Sequence, residues 1–148
     1  MTRTGFSGFP DTGGFGLILD GGERNIAKGN VVTGGRGPAI LLTQLEATDA
    51  PSHYVLSGNV ANSKLDDGIR VDAAATATLL KGNTANDNGD DGIDIDAPGT
   101  TVTRNTANDN HDLGIEAIAG VVDGGGNRAS NNGNAFECSN LDCSSPRR

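Results

Sequence analysis

Aromatic residues are nearly missing from this chain: they make up 3% of 148 residues, with no Trp and one Tyr. A conventional two-layer core draws much of its buried area from large rings, so that architecture is disfavoured. Positive charge is also short. Eleven Lys and Arg stand against 19 Asp and Glu, a formal net charge of −8, and the sequence pI is about 4.5. Nucleic acid and anionic membrane surfaces both demand a basic patch, so neither is expected as a partner. An acidic polysaccharide is repelled unless a cation intervenes, whereas neutral glycans and divalent cations stay open. No apolar run approaches the roughly 18 residues of a spanning helix, so membrane insertion is not expected. The start, Met1-Thr2-Arg3-Thr4-Gly5, lacks an apolar stretch of the signal-peptide kind. It is expected to be an artificial boundary or a cut from a longer protein. With two His and one Met, copper handling is disfavoured. Two Cys without a nearby His argue against zinc.

What the chain has instead is glycine, 23 residues of it, and an internal repeat. Asn30, Asn59, Asn83, Asn105 and Asn127 stand 29, 24, 22 and 22 residues apart. Similar phrases follow them: Asn59-Val60-Ala61-Asn62, Asn83-Thr84-Ala85-Asn86, Asn105-Thr106-Ala107-Asn108 and Asn127-Arg128-Ala129-Ser130. A second phrase recurs about ten residues later, as Asp67-Gly68-Ile69-Arg70-Val71, Asp91-Gly92-Ile93-Asp94-Ile95 and Leu113-Gly114-Ile115-Glu116-Ala117. Each apolar stretch has period two, the mark of a short strand. A unit of 22 to 24 residues is too short for a βαβ crossover, and the phrase of leucine-rich repeats is missing. The pattern fits a chain that winds so that each strand pairs in parallel with its equivalent one turn on, about 4.8 Å away. A narrow core of this kind needs only a few small apolar side chains per turn.

Stacking then predicts ladders. Ile69, Ile93, Ile115 and Phe136 form one inward ladder. Val71, Ile95, Ala117 and Cys138 form a second, Ala61, Ala85, Ala107 and Ala129 a third, and Leu56, Leu80 and Val102 a fourth. The Asn column is read as structural, each amide bonding the next along the stack. Gly68, Gly92 and Gly114 are read as bends that need a positive φ or a close backbone approach.

These residues resemble the repeats of the right-handed parallel β-helix superfamily, which includes pectate lyases, polygalacturonases, alginate epimerases and phage tailspikes. The likeness covers residues 25–143 and is nearest to bacterial β-helix repeat proteins of unassigned activity. The expected fold is therefore all-β, a right-handed parallel β-helix of about five coils with a disulfide-type cap at the C-terminal end. Residues 1–24 are read as an N-terminal cap or irregular lead-in, with Phe6, Phe9 and Phe15 as a plug for the first coil or an interface to earlier coils. Residues 25–143 hold the repeats, and 144–148 a frayed tail. Cys138 and Cys143 permit a small disulfide loop, with two free thiols as the alternative. Gln44 to Ser52 is expected to protrude, as a binding wall or a solvated insertion.

Outward positions stack as well. Arg70, Asp94, Glu116 and Glu137 form one column and Asp72 and Asp96 the next, while Asp66, Asp67, Asp90, Asp91, Asp112 and His111 sit near the turn. Enzymes of the superfamily use Ca²⁺ with an Arg or Lys base, or paired carboxylates. By that resemblance, Arg70, Asp94 and Glu116 are the candidate catalytic residues, and Asp72, Asp94 and Asp96 are candidate ligands for Ca²⁺. Lys81 is an alternative base, and Asp90 with Asp91 an alternative carboxylate pair. The Asp-Pro-His-Asp-type phrase of epimerases is represented only by His111-Asp112, without Pro. The leading functional expectation is a secreted or cell-surface module that binds a polysaccharide or another partner without catalysis of its own. A polysaccharide lyase, epimerase or glycosidase, or a fragment of one, is the alternative. A structural spacer that self-associates through its exposed solenoid ends is the third.

Overall fold

A computed structural model describes residues 14, 16–44, 49–63 and 65–144. Among them there is no helix. The first coil carries β1 (Leu17–Asp20), β2 (Ile26–Lys28) and β3 (Val31–Thr33). The second carries β4 (Ile40–Thr43), β5 (Val55–Ser57) and β6 (Val60–Asn62). The third has β7 (Ile69–Val71), β8 (Leu79–Lys81) and a single bridging residue, Thr84. The fourth holds β9 (Ile93–Ile95), β10 (Thr101–Thr103) and β11 (Thr106–Asn108). The fifth holds β12 (Ile115–Ala117), β13 (Val122–Asp123) and β14 (Asn127–Ser130), and β15 (Cys143–Ser144) closes the stack.

Strands pair in parallel with their equivalents in neighbouring coils. The first sheet runs β1-β4-β7-β9-β12 and the second β2-β5-β8-β10-β13. A third is built from β3-β6 and β11-β14-β15, joined through Thr84, which bridges Val60 on one side and Thr106 on the other. The register places Ile69 on Ile93 and Ile93 on Ile115, with Val71, Ile95 and Ala117 alongside. Leu56 stacks on Leu80 and Leu80 on Val102. Ala61, Ala85, Ala107 and Ala129 are all fully buried. The core is thus a set of ladders in which each Ile or Val contributes roughly 1.5–3 kcal/mol by leaving water.

Asn and Gly make the corners. Between the second and third sheets, the backbone N–H and Nδ2 of each Asn donate to Oδ1 of the Asn one coil on. Asn59 meets Asn83 at 3.0 Å by both donors, and Asn83 meets Asn105 at 2.9 and 3.0 Å. Nδ2 also donates to a strand carbonyl, as from Asn83 to Leu56, so the buried amide is fully used. The residue before each Asn is left-handed: Gly58, Gly82 and Gly126 at φ 61–73°, and Arg104 at 55°. Gly68, Gly92 and Gly114 have the other reason for being glycine. A Cβ on Gly92 would lie 2.6 Å from the Gly114 carbonyl oxygen and 2.8 Å from Ala107 Cβ.

The last turn departs from the predicted ladders. Ile115 bridges Cys138, not Phe136, and Phe136 is 75% exposed. Cys138 therefore leaves the Ala117 ladder, and Glu137 leaves the outward column of Arg70. The cause is a second job for Glu137. Its carboxylate accepts from Nδ2 of Asn132 at 2.6 Å and from the backbone N–H of Asn131 and Asn132, which pulls the chain out of register. Cys138 and Cys143 form the disulfide, and β15 then pairs with β14 over the fifth coil. At the other end Leu17–Asp20, within the segment read as lead-in, is a regular rung paired with β4. Phe6, Phe9 and Phe15 lie outside the described residues, as do 45–48 of the long loop and 145–148 of the tail. Ser52 already bridges Glu23 and Thr76, so the loop has returned to register by that point.

Candidate functional site

The outer face of the first sheet brings three sequence-predicted residues into one line. Arg70 is directly opposite Asp94, and Asp94 opposite Glu116. In strands that alternate inward Ile and Val with one outward residue, those outward positions must stack about 4.8 Å apart. Asp72 and Asp96 follow β7 and β9 and lie beside this line. The Arg70 guanidinium gathers them. Its Nε lies 3.3 Å from Asp72 and 3.6 Å from Asp94, its NH2 3.8 Å from Asp96, and its NH1 3.6 Å from Asp67.

The three acids expected to hold Ca²⁺ therefore surround a fixed cation. Arg70 remains charged at any ordinary pH, so its guanidinium offsets part of the repulsion among them. Another acidic trio, Asp90, Asp91 and Asp112, has carboxylate oxygens within 4.8 Å of one another. There Asp91 is buried, which pushes its carboxyl up to about 8, so a metal would compete with its proton.

Burial sets the protonation of the site. Asp67 is 2% exposed and is pushed up to about 7, first by burial and then by Asp94. Asp91, 4% exposed, is pushed up to about 8 by burial and by its hydrogen bond with Glu116. Asp94 rises to about 6 because burial and neighbouring Asp96 outweigh Arg70. Asp67 and Asp91 also work for the backbone. Asp67 Oδ1 accepts the N–H of Asp91 at 3.1 Å, and Asp91 Oδ1 that of Leu113 at 2.7 Å.

Other candidates are kept apart. Lys81 lies on the second sheet, away from Asp94 and Asp96. His111 is exposed on the turn between the third and first sheets. Tyr54, the one Tyr, is 2% exposed; its hydroxyl donates to the Gly21 carbonyl and accepts from Asn25. It offers no ring for a sugar to stack on.

Two features were missed in the sequence. One is the burial of Asp67 and Asp91; the signal was Leu113, an apolar residue at the equivalent place in the next repeat. The other is a second polar ladder. Asn88 donates to Asn110 and Asn110 to Asn132 at 2.8–3.0 Å, with Ser63 at the head and Glu137 at the foot. The signal was a step of 22 residues at Asn88, Asn110 and Asn132.

Comparison with known proteins bears on this frame. The model of the right handed beta helix region matches residues 6–144. The chain belongs to the right-handed β-helix family. No curated protein and no solved structure gives a match. The β-helix family assignment fixes the hand of the coil and leaves the activity to the site, because one fold hosts many chemistries.

Proposed function

We propose that this β-helix protein is a non-catalytic binding module, and that the outer face of its first sheet takes a hydroxyl-rich glycan. One observation carries the reading. Arg70, Asp94 and Glu116, with Asp72 and Asp96 beside them, form a flat patch of donors and acceptors at a constant rung spacing. Carboxylates and guanidinium groups arranged this way suit the paired hydroxyls of a sugar. The surplus of carboxylates disfavours uronic acids and favours neutral or amino sugars. Arg70 is bound up in four ion pairs, which suits a positioning role better than that of a free base. The disulfide supports an oxidising, extracellular setting.

The test is calorimetry against panels of neutral, amino-sugar and uronic-acid oligosaccharides, with product analysis on the same samples. Saturable binding of a neutral or amino sugar without turnover, weakened at least tenfold by Asp94→Ala, is the expected result. Binding confined to uronates, or none, contradicts the reading. A second reading, glycoside hydrolysis, rests on Asp94 and Glu116, outward carboxyls paired on adjacent rungs about 4.8 Å apart. Turnover abolished by Glu116→Gln would establish it in place of the first.

A further inference from the structure

The two corners that flank the third sheet carry opposite charge. At the corner before it stand Lys81, at the end of β8 on the third coil, and Arg104, beside the Asn turn of the fourth, both exposed. At the corner after it stand Asp87 and Asp109, exposed on successive coils, with Asp90 and Asp112 close behind. None of the ion pairs seen among the described residues, which are those of Arg70, involves Lys81, Arg104, Asp87 or Asp109, so both rows are uncompensated. They cannot satisfy each other within one molecule. The third sheet, three residues wide at β11, holds them about 10 Å or more apart.

Each row has a shape that suits the other. The acidic corner contains a shallow recess lined by Asp87, Asn88, Gly89, Asp109, Asn110 and His111. Two carboxylates one rung apart repel unless a cation lies between them. The basic corner presents two long side chains on successive coils, with Arg104 one residue further round the turn than Thr103, the residue that pairs with Lys81. Two coils before Lys81 along the same corner, β2 and β3 expose Ile26 (69%) and Val31 (60%), apolar surface that water leaves at a gain.

We propose that the basic corner is a docking surface for the acidic corner of a second copy of this chain, with the two solenoids lying side by side. Lys81 and Arg104 enter the recess between Asp87 and Asp109. Because different corners meet, the contact is heterologous and leaves one corner of each kind free, so association continues laterally. The first-sheet face stays uncovered, and the interface is independent of what that face binds.

Sedimentation velocity over a concentration series tests this. At low salt the mass rises with concentration, and at about 0.5 M salt, where screening is short-ranged, it returns to the monomer. Two charge-reversed proteins, Lys81→Glu with Arg104→Glu and Asp87→Lys with Asp109→Lys, are each monomeric alone. Mixed in equal amounts they associate again, because their two native corners fit each other and their two reversed corners carry opposite charge as well. The mixture also shows that both are folded. A monomer at every concentration in low salt overturns the proposal. So does assembly that survives in either reversed protein alone, which would place the contact at the solenoid ends, and so does a mixture that stays monomeric.

Discussion

The buried Asn and Asp side chains hold most of what is particular to this chain. Asn105 accepts two bonds from Asn83 and gives its own amide hydrogens to Leu80 and Asn127. Asn105→Ala leaves those buried groups unpaired on both sides and is expected to cost about 2–4 kcal/mol, read as a lower urea midpoint. Asp67 and Asp91 give a pH signature. Unfolded, they titrate near the ordinary 3.8; folded, they keep protons to about 7 and about 8. Between those limits the folded state binds more protons than the unfolded state. Stability therefore falls as pH rises from about 4 through 8. Asp67→Asn with Asp91→Asn should flatten that fall in urea titrations at pH 5 and 8. The Asn column was legible because its residue type and spacing both repeat. Burial of the aspartates was obscured because Asp beside Gly reads as an exposed turn, and only Leu113 breaks that pattern.

At the scale of elements, strands three residues long owe their order to neighbours above and below more than to themselves. Glycines at the close approaches are the weak points of that scheme. Gly92→Ala drives a methyl into the Gly114 carbonyl and Ala107, and a loss of more than about 2 kcal/mol is expected. The corner glycine Gly29 has open space around its would-be Cβ, so Gly29→Asn, a residue that tolerates the left-handed region, should cost under about 1 kcal/mol. Comparing the two in thermal melts separates crowding from backbone preference. The inward ladders of the middle coils were readable from alternation alone. The final coil was not, because Glu137 serves the Asn88-Asn110-Asn132 ladder, a long-range duty that local pattern does not record. Cys138→Ser removes the six-residue loop and is expected to cost about 2 kcal/mol, with the loss confined to the last coil in hydrogen exchange.

Across the whole molecule, stability is the sum of rung-on-rung contacts, and each coil touches only those next to it. Amide exchange should be slowest in β7, β8, β9 and β10, which have partners on both sides, and faster toward β3 and β15. The same stacking creates function. Residues 24 and 46 places apart along the chain, Arg70 with Asp94 and Glu116, become one surface, and opposite charges come to occupy separate corners. A net charge of −8 concealed that segregation, since composition averages over faces that are set only when the rungs align. The most direct measurement is an NMR titration with the best-binding oligosaccharide. The account expects amides of residues 69–72, 93–96 and 115–117 to move together along a single isotherm, with Arg104 and Asn127 unmoved. Shifts confined to the corners or the disulfide-closed end, or different affinities for the three segments, would contradict it.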